Sequence, residues 1–144
     1  LVRQVKAEVR IAFISIVRLR NRRVMSMIIY RAGYIEDIEF HEIKEEKDCL
    51  DIIINSRHSK QIRYVVFNAE AREIMPYIET FPLPVILLDE EPLLNRLEKH
   101  EYDFLESKGY IKDGLNICKI ISKLIKHYDK VLPKVRQSAQ ARKK

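Results

Sequence analysis

The sequence predicts an α/β protein with a mixed five-stranded sheet: three antiparallel meander strands, then two parallel strands, with flanking helices making three layers. Three observations carry this. Ile62–Phe67 and Pro84–Asp89 are apolar runs of strand length, rich in β-branched residues, as strands buried on both faces require. A helical segment separates them, so they read as a βαβ unit with parallel strands and a right-handed crossover. Upstream, three further strand-like runs follow one another with only short turns between them.

Arg10–Val17 is apolar at nearly every position and reads as a central strand. An Arg-rich turn leads into Val24–Tyr30, and Ala32-Gly33 turns the chain into Tyr34–Ile43. The imperfect alternation of that third run fits an edge strand with a bulge. Glu45–Asn55 is the first helix, with Cys49, Ile52 and Ile53 on one face and acids at its start, where the dipole favours them. Ala69–Thr80 is a second helical segment, interrupted at Met75-Pro76. Pro92 opens a long helix with Leu93, Leu94, Leu97, Tyr102, Phe104 and Leu105 as its apolar positions, and Gly109 stops it. Leu115–Tyr128 is the last helix, with Ile117, Ile120, Ile121, Leu124 and Ile125 facing inward. Residues 132–144 form a polar, basic tail with a helical tendency, and all 144 residues fit a single domain.

Composition narrows the function classes. A chain that is 47% apolar and 33% charged is globular rather than disordered. Cys49 and Cys118 sit in helical patterns as small core residues, and His41, His100 and His127 lack zinc-ligand spacing. With no signal peptide and no apolar run near ~20 residues, a cytoplasmic protein with reduced thiols and no membrane partner is expected. The net charge is +6, yet Ile35–Asp51 holds eight carboxylates against two lysines. Basic residues therefore concentrate elsewhere: Arg18, Arg20, Arg22 and Arg23, Arg57, and Lys134, Arg136 and Arg142 in the acid-free tail. They are candidate contacts for the phosphates of RNA or DNA, although a solvated surface accounts for the same charge. Tyr30, Tyr34 and Tyr64 are either stacking surfaces or packing residues. No Ser-His-Asp arrangement, phosphate-cradling glycine loop or dinucleotide fingerprint is present.

The element order, three meander strands and then alternating helices and strands, is that of ribonuclease-H-like folds. In that architecture the first and fourth strands lie side by side, and carboxylates near their ends hold divalent metal for phosphodiester hydrolysis. Ser56-Arg57-His58, then Gln61-Ile62-Arg63 before a buried strand, resembles an archaeal family of unknown function related to endonuclease V. Leu83-Pro84-Val85-Ile86, Glu91-Pro92 and Leu97-Glu98-Lys99-His100 follow the same family's order. Val131 to Ala139 is similar to its proline- and arginine-containing C-terminus. The resemblance spans about Arg10 to Arg142, and its specific parts are 56–63 and 83–92.

The departures bear on activity. Where the family places an aspartate at the end of the first strand, this chain has Ser15, beside Ile16; at the carboxyl end of the fourth it has Asn68. Ala69 to Glu73 replaces the family's glycine-rich stretch. Serine and asparagine are weak ligands for a hard divalent cation. The resemblance therefore implies a catalytically inactive endonuclease V-like protein, acting as a nucleic-acid-binding or scaffold module with no resident cofactor. The alternatives are a magnesium- or manganese-dependent nuclease using Glu45, Glu46, Asp48 and Asp89, or a subunit of a larger assembly that binds a protein partner or a second copy. Ligands on such sheets sit at the carboxyl ends of strands, which also marks Glu70. Plainer roles exist for these residues. Asp89 and Glu90 would cap a helix beginning at Pro92, the acids near 45–48 would complement a helix dipole, and His58 would anchor a turn rather than serve as a general acid.

Overall fold

The computed structural model describes residues 5, 6 and 8–142, with the side chains at 69, 70 and 130–142 outside that description. One mixed sheet of six strands organises it, in the order β3-β2-β1-β4-β5-β6. β1 (Arg10–Arg18), β2 (Arg23–Arg31) and β3 (Tyr34–Ile43) form the expected antiparallel meander. The β2–β3 connection is the two-residue turn Ala32-Gly33, with φ of 48° and 96°. Positive φ at both positions matches the twist of a tight hairpin, and glycine takes it without strain. A register shift at Ile29/Tyr30 supplies the bulge. β4 (Tyr64–Phe67) runs parallel to β1, and β5 (Val85–Leu87) parallel to β4. β1 is thereby central, which explains its apolar character at both parities.

Pro92 does not open a helix. Leu93–Asn95 forms a sixth strand, β6, antiparallel to β5. Without it the short β5 would present unpaired backbone along an edge, and pairing satisfies those groups. Arg96, at φ 65°, turns the chain out of the sheet, and α3 (Lys99–Ser107) starts only there. A reciprocal capping box between Glu98 and Glu101 fixes that start. α1 is also shorter than its apolar pattern suggests, spanning Asp48–Asn55, because the Asp48 carboxylate accepts the Lys44 and Glu45 backbone N–H groups and holds that approach as a turn. Residues 69–74 form a 3₁₀ segment, followed by α2 (Met75–Ile78), with Pro76 tolerated in its first turn.

Helices cover both faces of the sheet. α1, the 3₁₀ segment and α2 lie on one side, over Met25, Met27, Ile29, Val65 and Phe67. On the other, α3 and α4 (Tyr110–Arg142) pack over Ile11, Phe13, Ile28, Tyr64 and Val66. α4 is 33 residues long and continues through most of the range expected to be a tail. Its buried line is Tyr110, Ile111, Gly114 and Cys118, so Ile120 (58% exposed) and Leu124 face outward rather than inward. Gly114 sets this rotation: a Cβ there would come 2.1 Å from the Phe13 ring, so only glycine lets the helix lie this close to β1. Among the described residues no helix is long and apolar enough to cross a membrane.

Candidate functional site

Parallel pairing of β1 with β4 brings two chain segments to one edge of the sheet. The last residues of β1, Ser15 to Arg18, lie beside Asn68, which directly follows β4. A cavity of about 540 Å³ opens there. Arg18, Glu46, Asn68 and the Ser15 hydroxyl line its sheet side, and Lys119, Ser122, Lys123 and Lys126 of α4 line the other. The spacing of those four helix residues puts them on one face, above the strand ends. Ser15 and Ser122 share a hydroxyl–hydroxyl hydrogen bond of 2.9 Å, which ties α4 to β1 at the cavity.

Charge in the cavity is mostly positive. Its only lining carboxylate among the described residues is Glu46, 1% exposed, which accepts a 2.5 Å hydrogen bond from Arg18. Arg18 also lies 3.6 Å from Glu73, on the 3₁₀ segment. Burial opposes the charge on Glu46, but hydrogen bonds with Glu73 and Arg18 outweigh it and hold that carboxyl below its usual range. Glu73 is raised, first of all by its interaction with Glu46. Burial pushes the Cys118 thiol up to about 12, which leaves it an inert part of the lining. A hard dication would meet one already neutralised carboxylate, neutral oxygens and three lysines; an anion would meet ammonium groups, hydroxyls and an amide. The arrangement suits an anion.

Of the residues singled out from sequence, the structure brings together Ser15, Asn68, Arg18 and Glu46 at the cavity; the other described ones lie elsewhere. Glu45 is exposed and pairs with Lys47, and Asp48 holds its turn. Asp89 caps no helix: it pairs with Arg72 at 2.6 Å and accepts the Glu90 backbone N–H. The four-carboxylate metal set is therefore not assembled. Arg20 is exposed in the β1–β2 turn, Arg22 lies 3.3 Å from Asp129, and Arg23 reaches the Lys44 carbonyl. Arg57 is bound to Asp37 at 2.8 Å, and His58 anchors its turn on the same carboxylate. The side chains of Glu70, Lys134, Arg136 and Arg142 lie outside the described residues. Tyr30 and Tyr64 are buried packing residues, and only Tyr34 is exposed.

Lys119, Ser122, Lys123, Lys126 and Glu73 escaped the sequence reading. Lysine at positions 119, 123 and 126 is a one-face helical pattern, but it points to a site only once α4 is docked over β1.

Fold and cavity define an α/β protein with an anion-suited site at the carboxyl ends of two adjacent parallel strands. No family model and no curated protein matches the sequence. Among solved structures it is similar to the crystal structure of a protein of unknown function from Archaeoglobus fulgidus DSM 4304. The TM-score is 0.61 at 12% identity, over 82% of this chain and 98% of that one. At that identity the likeness shows a shared fold.

Proposed function

We propose that this protein is an endonuclease V-like member of the ribonuclease-H-like class that has lost catalysis and binds nucleic acid through backbone phosphates. The strand order with β1 parallel to β4 supports the class. One observation carries the function: the cavity at those strand ends holds Ser15 and Asn68 where such nucleases carry aspartates, and Arg18, Lys119, Lys123 and Lys126 surround them. Neutral side chains in place of metal-binding carboxylates, ringed by cations, exchange phosphodiester hydrolysis for phosphate binding. Contacts of that kind are independent of base sequence and weaken steeply with salt.

The test is a gel-retardation and cleavage assay on labelled single- and double-stranded RNA and DNA, with magnesium, manganese or chelator at several salt concentrations. The expected result is retarded, uncut nucleic acid, with a salt slope reduced by about 1 in Lys123→Ala. Metal-dependent cleavage abolished by Glu46→Gln would overturn the proposal, as would the absence of retardation at low salt.

A further inference from the structure

The Ser56-Arg57-His58 motif takes no part in the cavity. It folds over β3 instead. Asp37, Glu39 and His41 alternate along β3 and so share one face, opposite Ile29, Met27 and Met25 of β2, on the side covered by α1. Directly after α1, Ser56 donates to Glu39 Oε2 at 3.0 Å, and His58 Nε2 lies 2.7 Å from Asp37 Oδ2 and 3.7 Å from Glu39 Oε2. One ligand atom from each of Asp37, Glu39 and His58 falls within 4.8 Å of the others. The His41 ring meets the other oxygen of Glu39, with Nε2 at 3.1 Å.

These contacts do not all agree in any one protonation state. Arg57 Nε donates to His58 Nε2 at 3.3 Å, which requires a lone pair on that nitrogen. The same nitrogen lies 2.7 Å from Asp37 Oδ2, which requires it to carry a proton. With the lone pair, nitrogen and carboxylate are two acceptors in contact; with the proton, the imidazole N–H faces the guanidinium N–H. A cation between Asp37, Glu39 and His58 in place of Arg57 resolves the conflict, because all three then present lone pairs to it.

We infer that Asp37, Glu39 and His58 form a binding site for a transition-metal dication, which Arg57 covers when no metal is bound. Zinc–ligand distances of 2.0–2.2 Å put tetrahedral donors about 3.4 Å apart, and the His58 contacts of 2.7 and 3.7 Å bracket that value. The imidazole of His58 favours transition-metal dications such as zinc over calcium and magnesium. Ser56 orients Glu39, as outer partners of metal ligands do. Arg57 is 76% exposed and can swing into solvent when a dication takes its place.

The full chain, without a histidine tag and stripped by chelator, is titrated calorimetrically with zinc and with cobalt(II), whose visible spectrum reports tetrahedral coordination. The expected result is one saturable equivalent, weakened at least tenfold in Asp37→Asn and in His58→Gln and unaffected in His100→Gln. Arg57→Ala separates metal binding from a plain ion-pair clasp: loss of the competing guanidinium tightens metal binding several-fold. No saturable binding, binding indifferent to Asp37→Asn and His58→Gln, or a thermally weaker Arg57→Ala protein whose metal affinity is unchanged would overturn the inference.

Discussion

Glu46 and Asp37 are both carboxylates beside arginines, but their surroundings set different consequences. Glu46 is almost fully buried, so its charge depends on Arg18. Arg18→Ala leaves an uncompensated buried carboxylate and is expected to cost about 1–3 kcal/mol in denaturant unfolding. Adding Glu46→Gln should recover part of that loss, because removing both charges of a buried pair is cheaper than removing one. Asp37 sits nearer solvent, and hydrogen bonds from Arg57 and then His58 lower its carboxyl to about 2. A carboxyl depressed on folding stabilises the native state above its unfolded value of roughly 4 and loses that contribution as pH falls toward the folded one. Thermal melts of the parent and Asp37→Asn should therefore differ at neutral pH and converge between about pH 4 and pH 2. Tyr64 donates a 2.7 Å hydrogen bond to buried Glu101, whose carboxylate also caps α3. Tyr64→Phe removes that donor and should cost about 1–3 kcal/mol by chemical unfolding.

At the scale of elements, α4 decides most. Its rotation follows from contact between Gly114 and the Phe13 ring rather than from the apolar periodicity of its sequence. Gly114→Ala gains helix propensity but overpacks a closed interface, and a net loss of about 1–3 kcal/mol is expected in thermal unfolding. The exposed side tests the same rotation. Ile120→Ser should change stability by no more than about 0.5 kcal/mol, whereas Ile111→Ala, on the buried side, should cost roughly 2–5 kcal/mol. The segment after β5 teaches a related lesson. Leu93 and Leu94 follow a proline and suit a helix start, yet β5 offers an unpaired edge and the segment pairs with it. A tertiary hydrogen-bonding partner overrode a local preference of a few tenths of a kcal/mol per residue.

For the molecule as a whole, the sequence alone determined the meander, the buried β4 and β5 and their parallel pairing, because burial on both faces writes itself into uninterrupted apolar runs. It also marked Ser15 and Asn68, since a strand's carboxyl end can be located from its own residues. Tertiary structure decided what surrounds those positions. Lys119, Lys123 and Lys126 enter the cavity only through the docking of α4 more than a hundred residues after β1 begins, and Glu73 meets Glu46 only where the 3₁₀ segment crosses the end of β1. The cluster of Asp37, Glu39 and His58 likewise joins an edge strand to a turn about twenty residues later. Local pattern reports which face of an element is apolar. Which distant side chain comes to stand opposite it follows from packing, where one absent side chain, at Gly114 against the Phe13 ring, sets the rotation of a whole helix.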